Sequence, residues 1–199
     1  MKYDVVIVGA GPAGIFSALE LAEKSNMRVI MLDRGQDINQ RKCPSSRGFE
    51  CVNCDPCAVL SGWGGAGAFS DGKLTLSPEV GGWLNQYMSS QELEELVKYV
   101  DTVYLKFGAP EHTYGATDEK VEEFERKASL AGLKLVRQRI RHMGTERCAQ
   151  TLRKMRQELN GKVEFKPRSD VKGLIVKNGT VEGVETVNGE KYLGEYVIV

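Results

Sequence analysis

The spacing of apolar residues along the chain changes character several times, and each change marks an element. Tyr3 to Val8 is a nearly continuous run of mostly β-branched apolar residues, the pattern of a strand buried on both faces of a parallel sheet. After the glycine-rich turn that follows, Ala13 to Lys24 places Ile15, Ala18, Leu19 and Ala22 on one helical face. Val29 to Leu32 is a second buried strand, ending at Asp33, so the first 33 residues read as a βαβ unit. Gly35 to Gly72 then loses periodicity and becomes rich in Gly, Pro, Ser and Cys, the signature of a long loop with a functional purpose.

Ser89 and Glu92 form a capping box for a helix with the stripe Leu93, Leu96, Val97, Val100, Tyr104 and Phe107, stopped by Gly108-Ala-Pro110. A second helix is expected from Asp118 to Ala131, with Val121, Phe124 and Ala128 inward and Gly132 as its stop. Leu133 to Met143 reads as extended chain. Thr145 to Leu159 is helical again, with Cys148, Leu152, Met155 and Leu159 on one side and Asn160-Gly161 closing it. Val163 to Lys166 is a third short strand. Val171 to Val176, Val181 to Val187 and Lys191 to Leu193 follow, joined at Asn178-Gly179 and Asn188-Gly189, which signals a three-stranded meander. Tyr196 to Val199 is a fourth buried-strand run. Right-handed crossovers place the four parallel strands in spatial order 3-2-1-4.

With 199 residues, 41% of them hydrophobic, the chain can bury a core as one domain with an insertion. Its segments are expected to be 1–76 and 144–199, which build a nucleotide-binding domain, and 77–143, an inserted substrate-side region. Lys and Arg total 27 and so do Asp and Glu, so no global field favours nucleic acid or an anionic membrane. No apolar run is long enough for a membrane span. Without a secretory signal the expected location is cytoplasmic, and there five cysteines point to metal or redox chemistry before a disulfide framework.

Gly9, Gly11 and Gly14 fit GxGxxG directly after a strand and at the start of a helix, with the acid Asp33 about 20 residues on. The first glycine permits the tight turn, the second lets backbone touch a pyrophosphate, and the third lets helix pack close to strand. The helix N-terminus adds free N–H groups and partial positive charge. Asp33 would accept hydrogen bonds from ribose hydroxyls. This motif alone does not separate NAD from FAD.

The run Val8-Gly-Ala-Gly-Pro-Ala-Gly14 with Asp33-Arg34-Gly35 resembles the FAD-binding entry of glutathione-reductase-type flavoproteins, whose site takes the ADP half of FAD. Ser61-Gly-Trp-Gly-Gly-Ala-Gly-Ala-Phe-Ser-Asp-Gly-Lys73 and Arg141-His-Met-Gly-Thr145 are similar to stretches of a poorly characterised prokaryotic family of FAD-dependent dehydrogenases. The resemblance implies an α/β, Rossmann-like FAD-binding fold carrying an inserted helical and extended region. It implies FAD as cofactor, a small-molecule substrate and an electron donor or acceptor. It also implies a cofactor-binding set of Gly9, Gly11, Pro12, Ala13, Gly14, Asp33, Arg34, Gly64, Gly65, Ser70 and Asp71, with the backbone of Val171 at the adenine. Members of the family are longer, and in them the last strand leads into a small-residue turn over the pyrophosphate. On that comparison the chain is an N-terminal piece, expected to present the ADP-binding face, to hold FAD weakly or not at all and to self-associate through apolar surface.

Several readings stay open. Gly62 to Gly72 either forms a concave set of N–H donors for an anion or a flavin edge, or is a surface loop; Trp63 and Phe69 argue that it packs. Cys51, Cys54 and Cys57, with Cys43 as a fourth ligand, suit an iron–sulfur cluster or zinc, and the alternative is reduced thiols. Disulfide-reducing flavoproteins use CxxxxC, which fails here because Pro56 stands five residues after Cys51. His142 is either an acid–base group at the flavin or structural. Arg137, Arg139, Arg141, Arg147 and Arg153 read as a solvated face. The functional expectation is an FAD-dependent oxidoreductase. Its alternatives are an NAD-binding dehydrogenase and a non-catalytic nucleotide- or metal-binding module.

Overall fold

The computed structural model describes residues 2–115 and 119–199, and they fall into two compact units, 1–69 with 152–199, and 70–151. The first unit opens as the hydrophobic pattern dictates. Strand β1 (Lys2–Val8), helix α1 (Pro12–Lys24) and strand β2 (Val29–Leu32) form the βαβ unit, and β2 is buried along its whole length. In the second unit are β3 (Lys73–Thr75), α2 (Ser90–Lys106), α3 (Glu119–Leu130) and β4 (Ile140–His142). Helix α4 (Thr145–Glu158) leads to β5 (Val163–Lys166), then β6 (Val171–Lys177), β7 (Thr180–Thr186) and β8 (Lys191–Ile198).

The six-stranded sheet has the order β5-β2-β1-β8-β7-β6. Its parallel part, β5-β2-β1-β8, is the expected 3-2-1-4 arrangement, and β6, β7 and β8 form the antiparallel meander. The expected break between a third meander strand at Lys191–Leu193 and a separate strand at Tyr196–Val199 is absent. One strand does both jobs: β8 pairs antiparallel with β7 through Lys191 to Leu193 and parallel with β1 from Leu193 to Ile198. At the β6–β7 turn Asn178 and Gly179 both take positive φ, as a tight two-residue hairpin requires. Tyr3, Val6, Ile30, Leu32, Val184 and Tyr192 make the core cluster of this sheet, with Val8, Val171 and Val197 packed against it. Cys148, Leu152, Met155 and Leu159 are all buried, as the helical spacing in α4 anticipated.

In the second unit the capping box of α2 is present, with Ser89 Oγ accepting from the Glu92 N–H and the Glu92 carboxylate accepting from the Ser89 N–H. Leu93 and Phe107 are buried, but Leu96 is exposed, because the face of α2 that packs also carries Asp101. Arg141 on β4 is likewise buried, donating from Nε and Nη2 to the two Asp101 carboxylate oxygens at 2.6 and 2.7 Å. That bidentate pair corrects the solvated-face reading for Arg141. The short strand β3 was not anticipated; it pairs with β4, and Lys73 to Thr75 fall in the second unit. Of the helix expected from Asp118, that residue lies outside the described ones, Val121 and Ala128 are half-buried, and Phe124 is exposed.

Candidate functional site

The site is built where the carboxyl end of β1 turns into α1. Gly9 takes φ +102, a left-handed conformation that side-chain-bearing residues avoid, and its N–H donates to Leu32 O at 2.7 Å. Gly14 is set by close approach: a Cβ there would lie 2.0 Å from Gly9 O. At Gly11 an added Cβ would meet nothing within 4 Å, so this backbone faces open space. Helix α1 starts with Pro12 at its first turn, without a side-chain cap or an acid in that turn. Its first N–H groups therefore keep the unsatisfied, partly positive character that attracts anions.

Asp33 stands at the end of β2 and is fixed from both sides. Its Oδ2 accepts from the Ala10 N–H at 2.8 Å and its Oδ1 from the Gly35 N–H at 2.7 Å. A carboxylate has about four lone-pair sites, so two remain for a ligand hydroxyl while the group is held in one orientation. The Asp33 carbonyl accepts from Ser169 N–H, which docks the chain entering β6 beside it. The result is a cleft of about 280 Å³ lined by Val8, Gly9, Leu32, Asp33, Arg34, Leu60, Ser61, Ser169, Asp170 and Val171. Arg34 and Val171 thus reach the same cleft as the glycine motif. Ser169 and Asp170 carried no signal beyond polar turn residues, and Leu60 and Ser61 were hidden in an aperiodic loop. Arg34 is also anchored, with Nη2 2.6 Å from Asp55 Oδ1.

The glycine segment packs, which decides against a loose surface loop. Trp63 is fully buried, donates from Nε1 to Leu152 O at 2.9 Å and meets the Phe165 ring edge-on with centroids 5.2 Å apart. The Gly64 N–H donates to Ala10 O at 2.7 Å, bringing Gly64 and Gly65 directly onto the GxGxxG turn. Sequence reasoning missed the residue that holds this segment, Arg41. It is 7% exposed, and it donates to the carbonyls of Ala58, Val59, Trp63 and Gly65. Burial lowers its pKa from the ordinary value, while the charges of Asp33 and Cys57 act the other way.

Ser70 and Asp71 lie in the second unit. Ser70 Oγ accepts from the Gly72 N–H at 2.8 Å, and Asp71 pairs with Lys73 Nζ at 2.8 Å and lies 3.8 Å from His142 Nε2. The hydrogen bond from Lys73, then its charge and that of His142, pull the Asp71 carboxyl below its usual range. The Met143 and Gly144 N–H groups donate to the Gly72 and Asp71 carbonyls, so two of the segments singled out in the sequence meet here.

Of the two cysteine readings, the structure does not support the metal site. Among the described residues no group of three or more His, Cys, Asp or Glu is gathered in a way that could hold a metal ion. Cys51 and Cys54 are exposed on an open loop, Cys57 is half-buried and Cys43 is buried, so the four thiols point into different environments. These residues do not fit an iron–sulfur cluster or zinc.

Among the described residues no helix is long and apolar enough to cross a membrane. The chain is 30% identical over 203 residues to an uncharacterized protein of Clostridium beijerinckii, covering 100% of this chain and 31% of that one. It is 46% identical over 41 residues, 21% of this chain and 11% of the relative, to a putative FAD-dependent oxidoreductase, LodB, of Marinomonas mediterranea. In fold it is similar to a 3-ketosteroid-delta4-(5alpha)-dehydrogenase of Rhodococcus jostii RHA1, with a TM-score of 0.62 at 15% identity, over 99% of this chain and 45% of that one. The matched regions thus cover less than half of each of these proteins. The pattern of the pyridine nucleotide-disulphide oxidoreductases matches residues 3–199, and the chain belongs to that family.

Proposed function

We propose that this chain supplies the cofactor-binding part of an FAD-dependent oxidoreductase acting on a small molecule with a separate electron donor or acceptor. The observation that carries the reading is the single cleft uniting Gly9, the anchored Asp33, Arg34 and Val171 beside the uncapped start of α1. Its chemistry suits the ADP half of FAD. The Ala13 and Gly14 N–H groups and the open backbone of Gly11 face the pyrophosphate, Asp33 accepts from the ribose hydroxyls, and Val171 backbone borders the adenine. Gly64 and Gly65, held on Ala10, continue the cradle toward the flavin. Bound FAD would accept or give a hydride; the protein's part is to bind and orient it and to keep its phosphates neutralised. Similarity over 41 residues to the Marinomonas protein named a putative FAD-dependent oxidoreductase supports the choice of cofactor.

Calorimetric titration of the chain with FAD, ADP and NAD tests this. FAD and ADP are expected to compete for one site. Binding of NAD in preference to FAD, or no binding of ADP, would overturn the reading.

A further inference from the structure

A cation is expensive to bury unless its donors are met, and Arg41 has no carboxylate within hydrogen-bonding distance among the described residues. Its partners are backbone carbonyls instead: Ala58 O to Nε at 3.1 Å, Val59 O to Nη2 at 2.8 Å, and Trp63 O and Gly65 O to Nη1 at 2.6 and 2.8 Å. The guanidinium therefore bridges the two ends of one turn of chain, with the Phe69 ring 5.0 Å away. Planar trans peptides send each following N–H away from the carbonyl. Turning the Trp63 carbonyl to Arg41 thus aims the Gly64 N–H at Ala10 O, where it bonds at 2.7 Å. Turning the Gly65 carbonyl inward directs the Ala66 N–H the other way, and it keeps Gly65 beside Gly11, where an added Cβ would stand 3.4 Å from Gly11 Cα.

We propose that Arg41 is the positioning residue of the cofactor site: by gathering these four carbonyls it sets the glycine segment against Gly11 and thereby governs binding of FAD more strongly than binding of ADP. This rests on the FAD reading above. Lysine cannot take over, because its donors diverge from one point while the carbonyls are arranged around a planar fork.

The test compares wild type, Arg41→Lys and Arg41→Gln by calorimetry with FAD and with ADP, alongside amide exchange of the ligand-free protein over residues 58–65 and, as control, over β1 and β2. FAD affinity is expected to fall about tenfold or more in both variants and ADP affinity by a clearly smaller factor, through Leu60 and Ser61 at the edge of its cleft. Exchange should quicken over 58–65 alone. An unchanged FAD affinity, or a parallel loss of FAD and ADP, would overturn the proposal, and so would unfolding of both variants, since a role confined to this loop leaves the sheet intact. Should wild type bind neither ligand, the FAD reading fails by itself. Exchange then decides the positioning role: loosening limited to 58–65 sustains it and unchanged exchange refutes it.

Discussion

Two glycines of one motif should respond to the same methyl group in opposite ways. In Gly14→Ala the new Cβ would lie 2.0 Å from Gly9 O, so α1 and the turn must part by about 1 Å to bring that contact to 3.0 Å. The atom it meets is backbone and cannot swing aside. Overpacking costs about 1–3 kcal/mol, here near the upper end, against about 1 kcal/mol regained from the better helix propensity of alanine. A net loss of about 2 kcal/mol is expected. Gly11→Ala differs: the residue sits at φ −76 and ψ −177, open to any side chain, with no atom within 4 Å of the new Cβ. Reduced unfolded-state entropy and a poorer N-cap offset each other, leaving stability within about 0.5 kcal/mol of wild type. That methyl would occupy the space assigned to the pyrophosphate, so ADP affinity should drop about tenfold or more. Urea unfolding and ADP calorimetry on both variants read the two effects separately. A destabilised Gly11→Ala, or a Gly11→Ala that binds ADP normally, would refute the reasoning.

Asp33→Ala removes the acceptor of the buried Ala10 N–H and the proposed ribose contact; it should cost about 2 kcal/mol in urea unfolding and weaken ADP about tenfold, and unchanged affinity would remove Asp33 from the ligand. Burial, then the charge of Asp71, raises the Cys148 pKa, so its thiol contributes stability below the unfolded pKa of about 8.5 that is lost as pH rises toward the folded value. Iodoacetamide at mildly alkaline pH should accordingly label Cys51 and Cys54 well before Cys148, and mass spectrometry showing equal rates would contradict this. Leu174, Val176, Tyr196 and Ile198 leave apolar area exposed on β6 and β8, so light scattering should detect concentration-dependent self-association, and a monomer at every concentration would count against it.

What the sequence disclosed was what backbone periodicity and turn chemistry control. The run Tyr3–Val8, the glycine spacing after it and the acid at position 33 each have a local physical cause, and they sufficed for the βαβ unit and one wall of the cleft. The Asn-Gly turn of the β6–β7 hairpin was legible for the same reason. Long-range pairing was not. Nothing in Lys191–Val199 announces that one strand changes partners at Leu193. Arg41 and Arg141 look like ordinary solvated cations until the chain brings carbonyls to one and Asp101 to the other. The CxxCxxC spacing suggested a ligand set, yet Cys43 is buried while Cys51 and Cys54 are exposed, because spacing does not fix where a loop points its side chains.

The central claim is that the ADP half of FAD lies along the Gly9–Gly14 turn, Asp33 and the start of β6. The most direct measurement is a titration of the isotopically labelled chain with ADP, followed by amide NMR. The account predicts saturable shifts concentrated at Gly9, Ala10, Gly11, Ala13, Gly14, Asp33, Arg34 and Val171, and their loss in Gly11→Ala. Saturable shifts centred elsewhere, or none at millimolar ADP, would contradict it.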